Sequence, residues 1–151
     1  MRIMASFVLA LLLTVVWSVA ALSQSQARYC SEHDALEAED AVQGLSSWKD
    51  VHKAFKRYGH CDDGAIGEGY SESVVHLLSA HWGQLDDLNK ISSSDKKFLA
   101  FVIRHIDATT DESELKSVLA NSKTQCSKSA KALCLMIEKA AKAALSEMQT
   151  E

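Results

Sequence analysis

Along most of this chain apolar side chains recur every three or four residues, the spacing of a helix that buries one face. The pattern is sharpest at Trp48, Val51, Phe55 and Tyr58, in a helix that starts at Ser47, has Asp50 in its first turn and stops before Gly59. An earlier helix is predicted from the cap Ser31 to a stop at Gly44. A longer one is predicted from after Asp63 to Gly83, with Ile66, Tyr70, Val74, Leu77, Leu78 and Trp82 inward. A short helical turn from Leu85 to Ile91 leads to Ser92, Ser93 and Ser94, a ready N-cap cluster for a helix from Asp95 to Asp107. Phe98, Leu99, Phe101, Val102, Ile103 and Ile106 make that helix apolar nearly all round, which marks it as the element at the centre. Thr109 and Glu112 fit a capping box ahead of Leu115, Val118 and Leu119. The last helix, Ser129 to Met148, is alanine-rich. It carries Leu133, Ile137, Ala140, Ala144 and Met148 on one stripe, with Lys131, Glu138, Lys139 and Lys142 outward. Proline is absent, and no segment alternates with the period of two that a half-buried strand requires. The expectation is an all-α fold, a compact single-domain bundle of about six helices.

The N-terminus follows a different rule. Arg2 precedes an unbroken apolar run from Phe7 to Leu13 that continues through Val15, Val16 and Val19, the basic and apolar regions of a secretory signal. Small residues then offer two cleavage points, after Ser23 or after Ala27. A retained membrane anchor is the alternative, but a spanning helix needs ~20 apolar residues. Arg28 and Tyr29 stand where a lipoprotein signal ahead of Cys30 requires small residues. Residues 1–23 are therefore read as a cleavable signal peptide and 28–151 as one exported domain, free of the membrane once cut.

Export changes the reading of the cysteines. Cys30, Cys61, Cys126 and Cys134 all lie in the exported part, where thiols are oxidised, so two disulfides are expected. Four cysteines allow three connectivities, and sequence alone does not choose among them. Nearest neighbours, Cys30–Cys61 and Cys126–Cys134, are the pairing we expect. The second pair is demanding: eight residues of straight helix rise ~12 Å, while bridged Cα atoms sit ~4.4–6.8 Å apart. Cys126 must then lie in a loop that folds back over the following helix. A metal site is the rival, but the Cys-x-x-Cys spacing is absent. With 16 Lys plus Arg against 20 Asp plus Glu, the chain has a formal charge of −4. That balance argues against nucleic acid, whose binding rests on clustered basic residues, and it permits a basic protein partner.

Catalytic motifs are missing. Gly69-Tyr70-Ser71-Glu72-Ser73 departs from a nucleophile elbow because Ser73 replaces the final glycine. His33, His52, His60, His76, His81 and His105 show no His-Glu-x-x-His spacing and are read as structural; on a continuous helix His76 and His81 would point to different faces. Asp62, Asp63, Gly64, Glu68 and Glu72 invite a calcium test, but the alternating ligands and closing glutamate of an EF-hand are not there. No metal and no cofactor is expected. What stands out is Gly64, Gly67 and Gly69 in the first turns of a helix, each costing ~1 kcal/mol relative to alanine. Beside them lie Asp62, Asp63, Glu68 and Tyr70, and glycine also lets a backbone approach another surface closely. A solvated helix start and a partner-binding element are both open readings.

The run Cys61 to Val75, CDDGAIGEGYSESVV, together with Phe101 to Thr109, FVIRHIDAT, resembles the immunity proteins for amidase effectors of type VI secretion, and most of all the fourth amidase immunity family. The resemblance spans roughly Cys61 to Cys134. It implies a periplasmic, all-helical homodimer that binds and inhibits a papain-like cysteine amidase and has no activity itself. In that family a segment enters the effector's groove, which maps here onto Asp62, Asp63, Gly64, Glu68, Tyr70 and Glu72. Arg104 and Asp107, in the second run, are expected to form a structural ion pair or a helix-end bond. A periplasmic chaperone, which would expose apolar surface, and an unrecognised hydrolase are the alternatives.

Overall fold

Residues 28–150 are described by the computed structural model; the signal peptide read in 1–23, and both cleavage points, lie outside them. Seven α-helices and no strand occur among the described residues: α1 (Glu32–Val42), α2 (Trp48–Tyr58), α3 (Gly64–Ala80), α4 (Leu85–Ser94), α5 (Lys96–Arg104), α6 (Glu112–Thr124) and α7 (Lys131–Met148). Three short 3-10 turns, Gly59–Cys61, Trp82–Gln84 and Lys128–Ala130, join them. The seventh helix is α4, which the sequence suggested only as a turn. No helix among the described residues is long and apolar enough to cross a membrane.

Caps fix most helix starts. Ser31, Ser47, Asp63, Asp95 and Asp111 each adopt extended backbone angles and accept a first-turn N–H with the side chain, worth about 1 kcal/mol apiece. Two caps differ from expectation. Ser92, Ser93 and Ser94 belong to α4, and their hydroxyls donate back to the carbonyls of Asn89, Lys90 and Ile91. That leaves Asp95 to cap α5 with a 3.0 Å bond from Phe98 N. Asp111, not Thr109, caps α6, because Thr109 spends its hydroxyl on Asp107.

The centre of the bundle is α3 rather than α5. Ile66, Tyr70, Val74, Val75, Leu77 and Leu78 of α3 are all buried, and the helix packs on α1, α2 and α6. On α5 only Phe98, Phe101 and Val102 are buried, and Lys96, Lys97, Ala100 and Arg104 face solvent. The helix also stops at Arg104, short of Asp107. Aromatic rings join the two: Tyr70 meets Phe101 edge-on at 4.9 Å, and Phe55 lies 4.8 Å from Phe101. The pairing of α6 with α7 closes the other side of the bundle.

Both disulfides form as the nearest-neighbour pairing predicts. Cys30–Cys61 ties the start of the described chain to the turn ahead of α3, with Cα atoms 5.0 Å apart. Cys126, in the loop after α6, reaches back to Cys134 on α7 across 6.2 Å. Their presence fits an oxidising compartment.

Two of the α3 glycines have a cause inside the fold. Gly64 has a φ of +51°, a conformation that L side chains rarely adopt. At Gly69 a Cβ would lie 2.7 Å from Val42 Cγ2, so the residue lets α1 settle against α3. Close packing recovers what helix propensity loses.

Candidate functional site

The two runs that carry the family resemblance meet in space. Asp62 leaves the turn after Cys61, and α5 ends opposite it. Arg104 Nη2 donates to Asp62 Oδ2, and His105 Nε2 lies 3.2 Å from the same oxygen. On the other side of the ring, His105 Nδ1 lies 2.9 Å from Ser71 Oγ. Ser71 in turn donates to Asp107 Oδ2 at 2.7 Å, and Asp107 Oδ1 accepts from Thr109 N and Oγ1 at 2.9 and 2.6 Å. One polar chain, Arg104–Asp62–His105–Ser71–Asp107–Thr109, therefore clamps the start of α3 to the end of α5. Arg104 pairs with Asp62, the ion pair the sequence allowed, whereas Asp107 accepts from Ser71 and from the Thr109 turn and closes no helix end.

Burial alone would raise both carboxyls. For Asp62 the hydrogen bonds and charges of His105 and Arg104 outweigh it, and the net direction is down. For Asp107 the bonds from Thr109 and Ser71 do the same. Both aspartates are thus ionised acceptors at neutral pH. Over this chain lies a shallow cleft of about 310 Å³, lined by Asp63, Gly64, Gly67, Glu68, Ser71, Arg104, His105, Asp107 and Thr109. A Cβ at Gly67 would come 3.3 Å from Asp62 Oδ1, so the third α3 glycine makes room for the clamping carboxylate.

The residues predicted to face a partner are divided by this geometry. Asp63, Gly64, Glu68 and Glu72 are exposed. Asp62 is spent inward, its side chain 8% exposed. Tyr70 is removed from the surface set: it is 0% exposed and stands in the core against Phe101 and His105. Two readings of Tyr70, inward stripe and partner contact, stood side by side, and its burial decides for the inward one. From sequence, Ser71 entered only as part of a failed nucleophile elbow and His105 only as one of six histidines read as structural. The signal that could have joined them was their shared place in the two runs.

Asp62, His105 and Ser71 have the separations of a catalytic triad, but the roles do not follow. Ser71 is 2% exposed and its proton points to Asp107, whereas a nucleophile must give its proton to the histidine and meet substrate with its oxygen. The arrangement acts as a clamp. Elsewhere histidines again sit on carboxylates: His52 on Asp95 at 3.0 Å, His60 on Asp34 at 3.3 Å and His76 on Glu114 at 2.9 Å. His76 and His81 do not diverge as five residues of helix would require; α3 ends at Ala80, and their rings stand 5.4 Å apart.

A more apolar depression of about 390 Å³ lies between α2 and α4, lined by Trp48, His52, Lys90 and Ile91 among others. Large apolar side chains open to solvent among the described residues are Tyr29, Leu36, Leu135 and Met136. Leu36 lies on α1, and Leu135 and Met136 lie on α7. Compared with protein-family models, curated proteins and solved structures, the chain matches none, and the chemistry of the cleft is read from its own residues.

Proposed function

We propose that this chain is an exported immunity protein that binds and inhibits a papain-like cysteine amidase of type VI secretion, protecting the cell's own peptidoglycan, and that it works in the periplasm as a homodimer. The resemblance of the two runs supports this reading. The observation that carries it is the exposure of Asp63, Glu68 and Glu72 on helical turns pinned from two directions, by Cys30–Cys61 and by the Asp62 clamp. A surface held in one conformation before contact loses less entropy on binding. Acidic groups on its rim steer a basic partner and set specificity.

The test uses a small papain-like cysteine amidase, sought first among the products of genes neighbouring this one. Purified wild-type protein is expected to abolish peptidoglycan cleavage at one binding unit per enzyme, and light scattering to give a dimer. Asp63 caps α3, so it is replaced by asparagine, which caps equally well; Glu68 is replaced by lysine. This double variant is expected to keep its stability within ~0.5 kcal/mol while inhibition weakens many-fold. Unchanged inhibition would move the contact surface elsewhere, and failure of the wild type to inhibit would end the functional reading.

A further inference from the structure

Among the described residues, five histidines lie beside a carboxylate: His33, His52, His60, His76 and His105. The sixth lies beside another histidine. His81 has its ring centroid 5.4 Å from that of His76, with the two planes 74° apart. Both residues are exposed, so their contact closes no part of the core. The end of α3 creates the pair: His81 leaves helical angles at φ −120° and ψ 36°, which brings its ring to the side of the helix that carries His76. His76 is held in place from behind. Its Nδ1 lies 2.9 Å from Glu114 Oε1 on α6, and the same oxygen accepts from Ser79 Oγ at 2.9 Å. With a proton on Nδ1 in that bond, Nε2 is the ring nitrogen left to offer a lone pair. A carboxylate on the far nitrogen fixes the tautomer and the ring orientation, and strengthens the ring as an electron donor to a metal.

We propose that His76 and His81 form a zinc site, each giving one ring nitrogen, with water completing the coordination and Glu114 orienting His76. The spacing fits: two imidazoles bound to one tetrahedral ion at ~2.0–2.1 Å have centroids about 5 Å apart. Imidazole nitrogen suits zinc, nickel and copper, whereas calcium and magnesium take oxygen. Copper(II), with its square-planar preference, would draw the rings closer together. Charge is favourable as well. The ion stands near the C-terminal end of α3, where the carbonyls leave partial negative charge, and the Glu114 carboxylate lies behind it. No three His, Cys, Asp or Glu side chains among the described residues are grouped to enclose an ion, so this is an open site with exchangeable positions. Zinc there joins the last turn of α3 to the Trp82–Gln84 turn and, through Glu114, to α6. The unfolded chain lacks Glu114 behind the ring, so binding favours the folded state by mass action. The site is at the opposite end of α3 from the acidic cleft, and it goes beyond the proposed inhibition without depending on it.

The test uses the signal-free chain with both disulfides intact and no histidine tag. Titration calorimetry with zinc chloride is expected to show one ion per chain, and zinc is expected to raise Tm. In nitrogen-15 spectra of histidine-labelled protein, the ring signals of His76 and His81 are expected to move and the other four to stay. His76→Gln and His81→Gln are each expected to weaken binding at least tenfold and to abolish the rise in Tm, with the helical spectrum unchanged. His33→Gln, also exposed and beside a carboxylate, is expected to bind as the wild type does. Glu114→Gln is expected to keep one ion per chain and to weaken it about tenfold, the effect of losing an orienting partner. A chain that takes up no zinc, equal affinity in His76→Gln and His81→Gln, or ring signals of the pair that stay fixed at saturating zinc overturns the proposal and leaves an adventitious ion only. If a glutamine variant does not fold, the wild-type ring signals decide.

Discussion

Replacing Tyr70 by phenylalanine is expected to stabilise this protein. The Tyr70 hydroxyl is sealed from solvent and has no hydrogen-bond partner, and burial pushes its pKa up. In the unfolded chain the same hydroxyl is hydrated, so folding strips it of water without return, at a cost of ~1–3 kcal/mol. Phenylalanine keeps the ring and its contacts with Phe101 at 4.9 Å and His105 at 5.7 Å. It gives back part of that gain through the small void left by one oxygen, which leaves a net increase of about 1 kcal/mol. For a domain of this size the increase raises Tm by roughly 4 °C. Alanine at the same position is expected to cost ~3–5 kcal/mol, because it empties the space of a whole ring in the core. Urea and thermal unfolding followed by circular dichroism, under non-reducing conditions, measure both. A Tyr70→Phe protein destabilised by 1 kcal/mol or more would refute the reasoning and point to a buried water bonded to the hydroxyl. Amidase inhibition by Tyr70→Phe is expected to equal that of the wild type, since the residue supports the surface from inside.

Asp62→Asn keeps the side-chain shape but removes the charge facing Arg104 and His105, and is expected to cost about 2 kcal/mol at neutral pH. Because the Asp62 carboxyl is lowered when folded, this contribution is present above about pH 4 and is lost as pH falls through the folded value. Urea midpoints of wild type and variant should converge in acid, and parallel curves would count against the clamp. Gly69→Val drives a side chain into Val42 and is expected to cost ~1–3 kcal/mol, although valine is the better helix former. Val42→Ala in the same chain should return part of that loss, with a coupling of about 1 kcal/mol in a double-mutant cycle; zero coupling would mean that α1 and α3 do not touch there.

Much of the fold was legible because the forces that set it act within one or two turns. Ser31 caps the helix it was expected to cap, α2 and α3 begin after Ser47 and Asp63 where they were expected to begin, and their stripes face inward as the spacing requires. The same locality explains the errors. Ser92 to Ser94 and Asp95 are both good caps by composition, and only the way Asp95 joins two helices chose between them. For α5, apolar residues on most sides suggested a central helix, yet its lysines and Arg104 stay in solvent while α3, carrying costly glycines, takes the centre.

By itself, the sequence determined that the described chain is helical, where most helices begin, and that its four cysteines are better paired than free. Periodicity, capping and redox environment are properties of single segments or of composition, so no tertiary information was needed for them. The structure alone decided which cysteines meet, that Tyr70 supports the surface from inside, and that Gly69 exists for Val42. It also brought Asp62 and Ser71 onto the ring of His105. Apart from Cys126–Cys134, eight positions apart, these depend on distances between residues roughly 27 to 43 positions apart, which no local rule encodes and which appear only when the helices have packed.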